Sequence, residues 1–171
     1  TYLIYYYNML IKTPICDFGQ AAKSFELKST NNKIVKLNDA KGENGTLIMF
    51  ICNHCPYVKA IIKDIVDDCR NLKELGINSV AICSNDSINY PEDSYEKMIE
   101  FSKKHNFDFP YLIDKTQKIA KTYNAVCTPD FFGFNKNLEL QYRGQIRELK
   151  NLKPVTEGES DLFKAMKQIA E

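Results

Sequence analysis

The feature that most constrains this chain is a change of hydrophobic rhythm at residue 52. Leu47-Ile48-Met49-Phe50-Ile51 is a continuous apolar run of strand length. Such runs suit a strand buried on both faces of a parallel or mixed sheet. Immediately after Cys52-Asn53-His54-Cys55-Pro56 the period changes. Val58, Ile61, Ile62, Ile65, Val66, Cys69, Leu72 and Leu75 recur at three- and four-residue spacing, and Gly76 follows them. That spacing predicts an amphipathic helix with a glycine stop. Residues 77–83 (INSVAIC) then supply a second strand. A right-handed crossover makes the two strands parallel, so the chain is expected to be α/β.

The remaining elements fill in around this unit. Two alternating runs within residues 25–37 predict an N-terminal β-hairpin, and residues 41–45 read as a polar loop. Helices are expected over 94–105, 116–123 and 161–170, and a short strand over 111–113. Residues 129–134 and 138–142 flank Asn135-Lys136-Asn137 as an antiparallel hairpin. Residues 146–161 are polar, with Pro154 and Gly158, and read as an irregular excursion. Together these predict a mixed central sheet covered by helices on both faces. Residues 25–171 are expected to form one domain and residues 1–24 an N-terminal extension, in which Met9 is a candidate start. The apolar stretch at 1–11 is shorter than the roughly 20 residues that span a bilayer, and it lacks a basic leader. No membrane segment is expected. With 23 Lys+Arg against 22 Asp+Glu, the net charge of +1 gives no electrostatic case for nucleic acid or an anionic membrane as partner.

The chemistry concentrates at Cys52 and Cys55. Six cysteines in 171 residues are too sparse for a disulfide-stapled secreted scaffold, so a reducing, cytoplasmic setting is expected. Cysteines at i and i+3 where a helix begins can meet the separation a disulfide needs. Placing Cys52 in the first turn predicts a thiolate favoured by backbone N–H groups and the helix dipole. Cys52 is then the nucleophile, Cys55 resolves the mixed disulfide, and His54 tunes the thiol pKa. Two blander readings compete. A CxxC can be half of a zinc site, yet no second spaced Cys/His pair is present and His105 stands alone. The cysteines could also be inert core, which a CxxC at a helix start beside His54 argues against.

At these residues the chain resembles the thioredoxin superfamily, within it the redoxin branch that groups alkyl hydroperoxide reductase/thiol-specific antioxidant proteins with thioredoxin-like reductases. The resemblance spans about residues 25–144. It is carried by the hairpin, the apolar strand into Cys52-Asn53-His54-Cys55, the strand end Ile82-Cys83-Ser84-Asn85-Asp86, Phe109-Pro110-Tyr111-Leu112-Ile113-Asp114, and Val126-Cys127-Thr128-Pro129. It implies a thioredoxin-like three-layer α/β/α sandwich and a thiol–disulfide oxidoreductase acting on protein or small-molecule disulfides. It also implies a thiol electron donor such as thioredoxin or glutathione, and no cofactor or resident metal. Thr128 and Pro129 correspond to the cis-proline loop that binds substrate. The chain departs from its relatives at Ile51, where tryptophan is common, and in having no carboxylate within residues 46–51. The peroxidase motif Pro-x-x-x-Thr/Ser-x-x-Cys fits neither frame. Counting back from Cys52 gives Met49 and Gly45, and counting back from Cys55 gives Cys52 and Ile48. A peroxiredoxin-like peroxidase with Cys52 attacked is therefore the alternative, followed by a metal module on Cys52, Cys55 and Cys127, with His54 as a fourth ligand.

Cys127 is a possible third thiol, weighed against a role as small apolar filler. Cys69 reads as core, Cys83 as core or half-exposed, and Cys16 has no physical account. Asp86 is expected to satisfy a turn and Arg143 to lie at the surface.

Overall fold

The computed structural model describes residues 17–171. Its order is β1 (Glu26–Ser29), β2 (Ile34–Lys36), α1 (Leu37–Ala40), β3 (Gly45–Phe50), α2 (Pro56–Glu74), β4 (Ile77–Cys83), α3 (Tyr95–Lys104), β5 (Tyr111–Ile113), α4 (Lys118–Thr122), β6 (Asp130–Asn135), β7 (Leu140–Gly144), β8 (Leu149–Lys150), β9 (Lys153–Pro154) and α5 (Asp161–Ala170). Seven strands form one sheet in the order β2-β1-β5-β4-β3-β6-β7. β3, β4 and β5 run parallel, while β1, β2, β6 and β7 join antiparallel. The expected mixed sheet with an N-terminal hairpin is what forms.

The alternation of side chains across a strand explains the three layers. Leu47, Met49 and Ile51 point to one side of β3, into a core built with α2, α3 and α5. Ile48 and Phe50 point to the other side and pack with Phe25, Leu37, Ala120, Tyr123 and Phe132. Every residue of β3 is buried, which is why its run is apolar throughout instead of alternating. Where β6 passes beneath α5, a Cβ at Gly133 would collide with Met166 Sδ and Tyr142 Cβ, so close packing there requires glycine.

Two segments differ from the sequence reading. Residues 146–161 carry a small hairpin of their own, β8 with β9, bridged by Asn151 and Leu152 in left-handed conformation. Its strands are two residues each, too short to leave a period-2 signature. Buried Arg147 ties this segment down, donating to Thr156 O and Gly158 O and pairing with Asp64 of α2. Residues 19–22 pair with residues 138–140, where the chain turns into β7, with Gly19 N donating to Leu140 O, Leu140 N to Gln20 O and Ala22 N to Leu138 O. Cys16 and Met9 lie outside the described residues. Among the described residues no helix is long and apolar enough to cross a membrane.

Candidate active site

Helix α2 starts at Pro56, not at Cys52. Proline lacks an N–H, which makes it suited to a first helical position, and its ring drives the preceding residue out of the helical region. Cys55 accordingly takes extended angles, φ −62° and ψ 121°, and becomes the N-cap. Cys52 lies a further three residues back, where β3 ends. The helix terminus therefore acts on Cys55 and barely on Cys52, since its effect fades within a turn.

Cys52 and Cys55 come together with the loop before β6. Cys52 Sγ lies 3.3 Å from Thr128 Oγ1, and Cys55 Sγ contacts Thr128 O at 3.6 Å. The Thr128–Pro129 bond is cis. No disulfide joins the described cysteines. The expectation of an ionised, exposed Cys52 is corrected here. Cys52 is 0% exposed and Cys55 1%. The Cys52 thiol is pushed far above its ordinary range by its hydrogen bond with Cys55, by burial and by the negative charge of Asp93, against which the Thr128 hydroxyl works. These neighbours and burial together disfavour the Cys52 thiolate.

Asp93 is a buried residue of this site that sequence reading missed. It closes a 3-10 turn at Pro91–Asp93, on the segment between β4 and α3, and is 1% exposed. One carboxylate oxygen accepts the backbone N–H of Asn53 at 2.7 Å and that of His54 at 3.3 Å. The other accepts Asn85 Nδ2 at 2.7 Å and meets His54 Nδ1. Tyr90 stacks on the His54 ring with centroids 4.8 Å apart and planes at 7°. Asn53 donates to Glu92 O and accepts from Tyr111 OH, which joins the same segment to β5. An acid 38 residues beyond Cys55 has no local signature. The only cue was the polar Asn85-Asp86 stretch after a buried strand. Asp86 itself satisfies a turn, accepting from Ile88 N and Asn89 Nδ2.

Cys52 Sγ, a His54 ring nitrogen and an Asp93 oxygen lie within 4.8 Å of one another. The expected metal set of Cys52, Cys55 and Cys127 does not assemble among the described residues, because Cys127 is not in this group. Asp93 already accepts three N–H groups and also meets His54 Nδ1, so its oxygens have little left for a cation.

Cys127 is half-buried, its thiol pushed up to about 11 by burial and by Asp130, with Arg143 working against both. Arg143 is the second correction. Its side chain is 5% exposed. It donates to Asp130 at 2.9 Å and to Asn124 O at 2.7 Å, and its guanidinium lies 4.4 Å from the Phe132 ring centre. Its register partner across the sheet is Phe132, which puts it beside Asp130 two residues away. Cys69 and Cys83 are core thiols, each pushed up to about 12 by burial.

Residues 18–148 match the AhpC/TSA family. The chain belongs to that family. Among its AhpC/TSA relatives it is 28% identical to peroxiredoxin Bcp of Bacillus subtilis (strain 168) over 128 residues, which is 75% of this chain and 73% of that protein. It is 26% identical over 117 residues to the thiol-disulfide oxidoreductase ResA of the same organism, covering 68% of this chain and 61% of the relative. Among solved structures, an uncharacterized conserved protein from Geobacillus kaustophilus aligns with TM-score 0.82 and 40% identity, covering 85% of this chain and 79% of that one. A thioredoxin-family thiol:disulfide interchange protein from Chlorobium tepidum TLS aligns with TM-score 0.69 at 14% identity, covering 92% and 100%, and shows the fold alone. The fold is thioredoxin-like, and the chain is a redoxin.

Proposed function

We propose that this redoxin is a thiol–disulfide oxidoreductase cycling Cys52 and Cys55 between dithiol and disulfide, on protein or small-molecule disulfides, with a thiol such as thioredoxin or glutathione as electron partner. One observation carries the reading: both sulfurs converge on Thr128, Cys52 Sγ on its hydroxyl and Cys55 Sγ on its carbonyl. Two thiols three residues apart and held against the same residue are placed for oxidation to a disulfide. Cys52 attacks and Cys55 resolves. Sparse cysteine usage supports a reducing, cytoplasmic setting.

Insulin-disulfide reduction with a dithiol donor tests the proposal. Cys52→Ser is expected to abolish turnover. Cys55→Ser is expected to accumulate a mixed disulfide through Cys52, visible by non-reducing mass spectrometry. Retained turnover in Cys52→Ser would reverse the assignment of roles.

The likeness to peroxiredoxin Bcp favours a second reading, thiol peroxidase with Cys52 attacked by peroxide. Hydrogen peroxide consumption coupled to a thiol separates the two. Met49 and Gly45 at the usual Thr/Ser and Pro positions weigh against it.

A further inference from the structure

The proposed chemistry has an unmet requirement. A buried thiol beyond the reach of a helix terminus cannot attack until its proton is taken. The structure places a ring nitrogen of His54 within 4.8 Å of Cys52 Sγ and of an Asp93 oxygen. His54 is held from three sides, by the Asp93 carboxylate at Nδ1, by the Tyr90 ring against its face, and through its own backbone N–H bonded to Asp93. The other described histidine, His105, caps α3 and packs on Phe101.

We propose that Asp93 is a positioning residue for the thiol chemistry: it orients His54 so that the imidazole takes the Cys52 proton as the sulfur attacks a disulfide. With Nδ1–H directed at the carboxylate, Nε2 is the nitrogen that accepts a proton. The S–H proton passes to Nε2 and the sulfur pair forms a bond to the near sulfur of the substrate. The substrate S–S bond breaks, and the departing thiolate recovers the proton from the imidazolium. No further oxidant or reductant enters this step. The Cys–His–carboxylate order is that of a base-activated nucleophile, in which the acid acts through the imidazole. Segment 84–93 serves as its frame, because Asn85, Tyr90 and Asp93 all reach the site from it. The other titratable groups facing the triad are Cys55 at the start of α2, Cys83 at the end of β4 and Tyr111 of β5.

The inference rests on Cys52 being the attacking thiol and yields a sign test. Asp93 acts on Cys52 in two opposed ways: its charge alone resists thiolate formation, whereas through His54 it promotes it. Iodoacetamide alkylation is followed at the Cys52 peptide by mass spectrometry, from pH 5 to 9, in a Cys55→Ser background. With His54 present, Asp93→Asn is expected to slow alkylation about tenfold at pH 7, because the base loses its orientation. With His54→Gln, the same Asp93→Asn change is expected to speed it. Acceleration in both backgrounds, or a rate insensitive to pH and to both substitutions, would overturn the proposal. If Asp93→Asn does not fold, the nitrogen-15 shifts of unsubstituted His54 decide: a proton on Nδ1 supports the role, and a proton on Nε2 overturns it. Insulin turnover without the sign reversal removes the relay and keeps the oxidoreductase. Sign reversal without insulin turnover does the opposite.

Discussion

At the scale of single residues, burial sets what each charge can do. Arg143 next to Gly144 looks like a surface arginine, because an arginine on a terminal strand gives no sign that a carboxylate lies opposite. Yet burial raises the pKa of Asp130, and Arg143 is what works against that rise. Removing one member of a buried pair leaves the other uncompensated, which is the costly case. Arg143→Met is expected to destabilise the protein by about 3 kcal/mol at pH 7 in urea titrations. The sign with pH follows from Asp130. A carboxyl raised in the folded state binds its proton there more readily than in the unfolded chain, so the penalty shrinks as pH falls and Asp130 becomes neutral. The variant is expected to recover relative to the parent toward pH 4.

At the scale of elements, the strongest periodicities were legible and the corners were not. The helix over 161–170 was readable from its apolar repeat, and the strand over 77–83 from the short continuous apolar run Val80-Ala81-Ile82-Cys83. The start of α2 was misplaced for a local reason. The apolar stripe begins at Val58 and says nothing about 52–57, where Pro56 alone decides the boundary. Both candidate cysteines were legible from the CxxC, while Asp93 was not, because it reaches the site through tertiary packing. Helix α5 shows a further link invisible in sequence. Ser160 caps it by accepting Phe163 N–H at 2.9 Å, and donates to Asp68 of α2 at 2.5 Å. Burial pushes Asp68 up to about 6 from 3.8, with Ser160 opposing. Between about pH 4 and 6 the folded state thus holds more protons than the unfolded one, and this group's contribution falls as pH rises through that window. Asp68→Asn keeps an acceptor for Ser160 without the charge. Its Tm relative to the parent is expected to rise from pH 4.5 to pH 7.5, as checked by scanning calorimetry.

At the scale of the whole molecule, stability is centred on β3, which is hydrogen-bonded on both sides by β4 and β6 and packed above and below by the two cores. Amides of Ile48 and Met49 are expected to exchange with solvent only on global unfolding, while those of residues 149–155, in two-residue strands and largely exposed, exchange by local opening. Hydrogen exchange read by NMR checks both, and equal protection of the two segments would contradict the assignment. The margins of the sheet have the opposite character. Residues 19–22 meet β7 at its start, and β2 at the far margin is three residues long with Lys33 just before it and Lys36 at its end. A bare strand flank is a template on which foreign chains stack, and short or charged flanks discourage this. One flank here is met at its start by the polypeptide's own backbone and the other is brief and cationic, so a wide sheet of greasy strands is partly guarded against growing sideways into aggregates.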